Sequence, residues 1–337
     1  EYRQPVVHVL DASRAVGVVS ALLSKDDDHR QNFINSVRED YERVRVQRAN
    51  RQSLKKMLDL ESARANAFKT NWAEYLPPVP KQIGVQVIEN IELETLEAFF
   101  DWTPFFQSWE LAGKYPEILE DPIVGKEARS LHADAIKVWN ELKEAKQIKA
   151  RAVFGIFQAY AEVDDIIAIQ NSGNRLKIPQ LRQQVHKTEG QANFCLSDFI
   201  APESSEKTDY IGAFAVSAGF GVDELVKKYE AENDDYKAIL IKALADRAAE
   251  ACAEYLHHYI RTQVWAYSPG EKLSNQELIH EDYVGIRPAP GYPACPDHTQ
   301  KDLIWKLLQV EENTEIKLTE SKAMWPAASV SGWYFSH

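Results

Sequence analysis

The chain has 337 residues, with 39 Lys and Arg against 51 Asp and Glu for a formal net charge of −12. Apolar residues make up 45% and aromatics 10%, enough for a sizeable core in one large domain or two ordinary ones, which excludes whole-chain disorder. The acidic balance and the lack of any dense Lys/Arg block exclude a protein that works by neutralising phosphates, and no apolar run reaches the roughly 20 residues of a membrane helix, so neither nucleic acid nor membrane is expected as a partner.

The N-terminus lacks a signal-peptide pattern, and its opening Glu1-Tyr2-Arg3-Gln4, without an initiator Met, suggests a piece of a longer polypeptide. Val6–Leu10 reads as a strand, and the small-residue stretch Ala15–Leu23 as a helix suited to close packing on a sheet. One strand and one helix are too little to fold alone. Residues 1–24 therefore read as the tail of a preceding α/β domain. Asp26-Asp27-Asp28 offers an N-cap and an acidic first turn. Phe33, Ile34, Val37, Tyr41 and Val44 recur at helical spacing, so Asp28–Arg48, within residues 25–51, reads as an amphipathic linker helix. The basic stretch Arg48–Lys56 leads into a main domain over residues 52–337.

In that domain Leu76-Pro77-Pro78-Val79-Pro80 is an extended connector. Thr95–Phe100 reads as a short helix running into the aromatic run Asp101-Trp102-Thr103-Pro104-Phe105-Phe106. Lys126–Gln147 is a helix with Ala128, Leu131, Ala135, Val138 and Leu142 along one stripe. Arg151–Gln158, Asp164–Gln170 and Asp209–Val216 read as strands. Asp234–Thr262 carries the strongest helical periodicity, Asp302–Gln309 is helical, and Ala323–Phe335 mixes strand and loop character. Helices and strands alternate irregularly, which favours a mixed α+β domain over a doubly wound one.

Familiar chemistries find little support. His257 and His258 are adjacent on a helix and point about 100° apart, so they cannot share one ion from that helix alone. Cys295-Pro296-Asp297-His298 lacks a second ligand cluster, and no metal is predicted. Three cysteines, Cys195, Cys252 and Cys295, read as reduced thiols of a cytoplasmic protein. There is no Gly-x-Ser-x-Gly elbow. Gly219-Phe220-Gly221 follows a strand-like run, but Glu224 stands where a dinucleotide fingerprint needs glycine, and Asp223 and Glu224 would repel a pyrophosphate. A strand–turn–helix with Asp223 near the N-cap explains that stretch as well.

The informative stretch is Gly285-Ile286-Arg287-Pro288-Ala289-Pro290-Gly291-Tyr292-Pro293-Ala294-Cys295-Pro296-Asp297-His298-Thr299. Its prolines force an extended, low-entropy path that cannot be an interior strand. Such a ledge can hold carbonyls and a few amides rigidly against a ligand. Arg287 adds a planar fork suited to a carboxylate, Gly291 permits close approach, and Tyr292 offers a ring with a polar tip. The bland alternative is a stiff surface loop.

This motif resembles the Arg-x-x-x-Gly-Tyr S-adenosylmethionine-binding motif of the C-terminal activation domain of cobalamin-dependent methionine synthases. The same family is resembled by Asp101-Trp-Thr-Pro-Phe-Phe with Gly113-Lys-Tyr-Pro, Cys195-Leu-Ser-Asp-Phe-Ile-Ala-Pro202 and Asp209-Tyr-Ile-Gly-Ala-Phe-Ala-Val216. Lys242-Ala-Leu-Ala-Asp-Arg-Ala-Ala-Glu250-Ala and Leu318-Thr-Glu-Ser-Lys-Ala-Met-Trp-Pro326 with Ser331-Gly-Trp-Tyr-Phe-Ser-His337 complete the set, in order across residues 52–337. Pro5–Leu23 resembles the end of the cobalamin-binding domain.

The resemblance implies a C-shaped single α+β domain with a twisted antiparallel sheet and flanking helices, C-terminally incomplete here because the family continues past His337. It places ligand contacts at Asp101, Glu250, Arg287, Ala289, Gly291 and Tyr292. Arg287 would pair with the ligand carboxylate and Asp101 and Glu250 would meet its ammonium. Backbone at Ala289 and Gly291 would hold polar edges, and Tyr292 would border the reacting methyl. The implied reaction is reactivation in methionine biosynthesis: cobalamin that has slipped from Co(I) to Co(II) takes one electron from flavodoxin or an equivalent reductase and is remethylated by S-adenosylmethionine. A sulfonium needs no acid or base to leave, so no catalytic residue is expected. The cobalamin ligand and the zinc of the homocysteine site would lie upstream of this chain. The alternative is a module that mainly docks the cobalamin domain and a flavodoxin-type reductase.

Overall fold

The structure, a computed structural model, describes residues 5–9, 12–54, 57–170 and 172–337. It divides into two compact units, Glu1–Ala65 with Gln184–Gln191, and Asn66–Gln183 with Ala192–His337. No helix among the described residues is long and apolar enough to cross a membrane.

In the first unit, residues 5–9 form no regular element. The strand expected over Val6–Leu10 is thus not made there, and Leu10 lies outside the described residues; an isolated β-rich run has no neighbour to complete its ladder. Helix α1 spans Ala12–Leu22. The carboxylate of Asp26 accepts the amides of Asp28 and His29 (3.0 and 3.1 Å), so it caps the long helix α2, Asp27–Leu54. Phe33, Ile34, Val37 and Tyr41 are half-buried, while Val44 is exposed. Asp59 caps the short α3, Leu60–Ala65, by accepting the Ser62 amide at 2.7 Å.

The second unit is built on a six-stranded antiparallel sheet of order β4-β3-β2-β5-β8, with β1 also on β2. Its strands are β1 (Gly84–Ile91), β2 (Lys149–Glu162), β3 (Asp165–Ile169), β4 (Arg175–Pro179), β5 (Asp209–Phe220) and, after the short hairpin β6 (Lys317–Leu318) and β7 (Met324–Trp325), β8 (Ser329–Tyr334). At 14 residues β2 is long enough to serve two neighbours on one edge. β1 pairs along its residues 150–156 and β3 along residues 158–162, while β5 covers residues 149–159 on the other edge. β1 and β4 were absent from the sequence expectations; both are edge strands whose residues are half exposed.

Side-chain alternation splits the core across the two faces of the sheet. Ala152, Phe154, Ile156, Phe214, Val216 and Tyr334 face one cluster, packed beneath α6 (Gly125–Ala145) and α8 (Asp235–Tyr259). Val153, Phe157, Ile211, Ala213, Ala215 and Trp333 face the other, against α10 (Gln300–Leu308) and α11 (Val310–Thr314). Because both faces are covered, β5 is buried along nearly its whole length, which is why Ile211–Phe220 is largely apolar, broken only by Gly212, Ser217 and Gly219, rather than alternating. Small α4 (Leu93–Leu96), α5 (Thr103–Ser108), α7 (Val222–Ala231) and α9 (Asn275–Ile279) close the periphery. Gly221, with φ +92°, stands at the N-terminus of α7, and Asp223 instead accepts a hydrogen bond from the Trp325 indole at 3.1 Å.

Asp209 opens β5 and is buried, accepting the amides of Ala201 (2.8 Å) and Tyr210 (2.7 Å). Burial outweighs these bonds and pushes its carboxyl up to about 6. An acid raised on folding binds more protons in the native chain than in the unfolded one. Stability from this group is therefore present at low pH and lost as pH rises from about 4 through 6. Urea unfolding of wild type and Asp209→Asn across that range is expected to show the wild-type advantage shrinking by on the order of 2 kcal/mol as pH rises. A pH-independent gap would show that Asp209 titrates normally.

Candidate functional site

Helix α8 carries one wall of the site. Alanines at 245, 248, 249, 251 and 253 are buried, so the helix lies close on the sheet. Its i, i+4 row of Asp246, Glu250, Glu254 and His258 emerges along one side. The helix ends in a single wide π-type turn, Ile260–Val264, where the amides of Trp265 and Ala266 both reach back to the Ile260 carbonyl (2.9 and 3.1 Å). That turn carries Arg261 into a fully buried position.

Arg261 is held from three directions. Its guanidinium donates to Glu271 (2.7 and 2.9 Å), lies 3.6 Å from Glu254 and stacks 3.9 Å over the ring of Tyr283. Burial opposes the charge on Glu271, but hydrogen bonds from Arg261 and from His258 (2.9 Å) outweigh it and hold the carboxyl below its usual range. Glu254 in turn accepts from Arg287 Nη2 at 2.9 Å. The other terminal nitrogen of Arg287, Nη1, is buried without a hydrogen-bond partner among the described residues. His257 is fully buried between the rings of Tyr334 and Tyr283, and burial, then the nearby Arg287 and Arg261, keep it well below its ordinary value and so neutral. The two adjacent histidines thus serve different partners.

The proline segment runs along the outer edge of β8. Trp333 donates its amide to the Pro288 carbonyl (3.0 Å), Phe335 to that of Ile286 (3.1 Å), and Ile286 to that of Phe335 (2.9 Å). The segment is expected to keep its carbonyls for a ligand; the edge amides of Trp333 in β8 and of Phe335 just past it take two of them instead, because an edge strand leaves those donors unpaired. Beyond Pro290 the chain folds into a tight turn, in which Gly291 donates to Cys295 (2.8 Å) and Cys295 to Tyr292 (2.9 Å). Cys295 is buried, and burial with the neighbouring Asp297 pushes its thiol up to about 12, so it is a packing residue. Gly291 has φ +105°, and a Cβ there would strike the ring of His298. Gly291→Ala is expected to unseat the turn at a cost of about 1–3 kcal/mol. Thermal melting checks it, and an unchanged midpoint would show that the turn adapts freely.

Two adjoining clefts result. The first, about 360 Å³, is lined by Phe99, Asp101, Pro104, Arg247, Glu250, Glu254, Glu281 and Arg287 among others. The second, about 340 Å³, is lined by Glu250, Ala289, Pro290, Gly291, Tyr292, His298, Lys301, Met324 and Ser331 among others. Glu250 borders both. The structure therefore brings all six residues singled out in the sequence to one continuous locality. Asp101 also closes the turn into α5 by accepting the Thr103 amide at 2.9 Å, a local structural role beside the contact that the resemblance implies.

A family model described as vitamin B12 dependent methionine synthase, activation domain, matches residues 92–337. The chain belongs to this family. Among solved structures it is similar to one described as the MetH reactivation domain bound to AdoHcy, at 54% identity and a TM-score of 0.80, covering 83% of this chain and 87% of that one. The mixed helix and antiparallel-sheet architecture is that of this activation domain.

Sequence reasoning missed several residues of the activation domain that line or brace the clefts. Glu254 follows Glu250 by one helical turn, a spacing that would have found it. Arg261 and Glu271 carried no signal, since only the wide turn at the end of α8 brings them inward. Lys301 reads as an ordinary helix lysine, and Ser331 as an ordinary strand serine.

Proposed function

We propose that this activation domain binds S-adenosylmethionine across the two clefts and presents its methyl group to reduced cobalamin in methionine biosynthesis, releasing S-adenosylhomocysteine. The observation that carries this reading is the convergence of Asp101, Glu250, Arg287, Ala289, Gly291 and Tyr292 on adjoining clefts, in a chain 54% identical to a domain described as bound to AdoHcy. The residues present fit such a ligand. Arg287 Nη1 is a buried donor without a partner, suited to a carboxylate. Asp101, Glu250 and Glu254 supply negative charge for the ammonium and bias the field toward the sulfonium.

The carbon attached to a sulfonium transfers without proton movement, because the leaving group is a neutral thioether. The protein's part is then to hold the donor, fix its orientation and exclude water. Arg287 and the carboxylates anchor one end, while the stiff turn around Gly291 and the exposed ring of Tyr292 border the other. Cobalamin, as the methyl acceptor, supplies a cobalt nucleophile generated by one-electron reduction. In this reading a preceding domain holds it, residues 1–24 are the end of that domain, residues 25–51 link it to the activation domain at 52–337, and flavodoxin or an equivalent reductase delivers the electron in the cytoplasm. Zinc belongs to an upstream domain.

Calorimetric titration of the chain with S-adenosylmethionine tests the reading. Saturable one-to-one binding is expected, and no heat beyond dilution overturns it.

A further inference from the structure

The second cleft holds two polar side chains that nothing in the ligand reading above uses. Ser331, on β8, is 2% exposed, and its hydroxyl has no hydrogen-bond partner among the described residues. Its strand neighbour Ser329 shows the ordinary solution, donating to the Pro326 carbonyl at 2.6 Å. Leaving a buried hydroxyl unpaired is destabilising, so an orphan on a cleft wall calls for an occupant that pairs it. Lys301, on α10, is 8% exposed and lines the same cleft. Its ammonium gives one hydrogen bond to the Lys322 carbonyl at 2.9 Å, and it forms no ion pair among the described residues. Burial lowers its pKa.

A cation on the cleft wall constrains which part of the ligand can lie beside it. S-adenosylmethionine carries positive charge at its sulfonium and its ammonium, and Lys301 would repel both. The nucleoside end is neutral and rich in acceptors, with ring nitrogens and ribose oxygens that an ammonium and a hydroxyl can satisfy. The amino-acid end already has its complement in Arg287 and the carboxylates of the first cleft. We propose that Ser331 and Lys301 are specificity-determining contacts for the nucleoside end of the ligand, an inference that rests on the S-adenosylmethionine reading of the site.

The test compares the chain with its Ser331→Ala and Lys301→Gln variants by calorimetry against S-adenosylmethionine and against S-adenosylhomocysteine. The two ligands share the nucleoside and differ at sulfur in charge. Each variant is expected to weaken both ligands alike, by roughly 3- to 10-fold. Ser331→Ala is also expected to leave the ligand-free chain as stable as wild type or slightly more so, since it removes an unpaired buried group. Wild-type affinity in both variants overturns the proposal. So does a Lys301→Gln variant that binds S-adenosylmethionine more tightly while S-adenosylhomocysteine is unchanged, because the ammonium would then lie beside the sulfonium. If the wild-type chain binds neither ligand, the reading of the site itself falls, and this assignment with it.

Discussion

Replacing Arg287 by Ala is expected to lower affinity for S-adenosylmethionine about a hundredfold. The guanidinium is pre-aimed: Glu254 holds Nη2 at 2.9 Å, while Nη1 is buried without a partner. A ligand carboxylate would supply a charge-assisted bond there at little ordering cost, and bonds of that kind are worth about 1.5–3 kcal/mol when their partner is removed. Arg287→Lys keeps the charge but loses the planar fork, so it is expected to recover only part of the loss, leaving binding roughly tenfold weaker than wild type. Calorimetry on the three proteins checks this. Equal affinities for wild type and Arg287→Ala would remove the residue on which the ligand assignment turns.

Arg261→Met is expected to destabilise the chain by about 3–5 kcal/mol at neutral pH, the range for breaking a buried ion pair from one side. Methionine fills much of the volume, yet it leaves Glu271 without its guanidinium partner and Glu254 with Arg287 alone. The pH dependence has a definite sign. Glu271 is held below the usual carboxyl range in the wild type, so its contribution is present above the unfolded value near 4.5 and fades as pH falls through the folded one. In the variant the carboxyl protonates more readily. The gap between the two proteins should therefore narrow as pH drops from 7 toward 4. Urea unfolding at several pH values measures it, and a gap constant with pH would assign the loss to packing instead. Weakened ligand binding in Arg261→Met is expected as well, because Glu254 would no longer be pinned behind Arg287.

Much of the second unit is legible from local pattern. The apolar stripe of α6, the long periodicity of α8 and the β-rich runs of β2, β3 and β5 all place elements where the structure has them, within a few residues. Where the pattern misleads, competing physics explains it. Val6–Leu10 has strand composition but no neighbour in residues 5–9 to complete a ladder. The strand signal of β4 is weak, because that edge strand is short and carries Arg175 and Lys177 on its open face, whereas β1, which exposes Val85 and Val87, is missed despite its β-rich composition. The ledge at 287–293 was legible as stiff and extended, but not as a partner for β8, since that pairing joins residues more than 40 positions apart. The six site residues were reached through family resemblance laid over a physically sensible set of groups. The bracing behind them was invisible, because it depends on a helix ending in a wide turn rather than on any motif.

The pairing of the proline segment with β8 has a second use. β8 closes one end of the sheet order, and the outward amides of Trp333 and, just past the strand, Phe335 would otherwise offer a template to another molecule. Prolines are poor recruits for such stacking, because they accept hydrogen bonds and return none. A ribbon that lines a cleft on one side thus serves on the other as a selvedge, keeping the sheet from growing into a polymer.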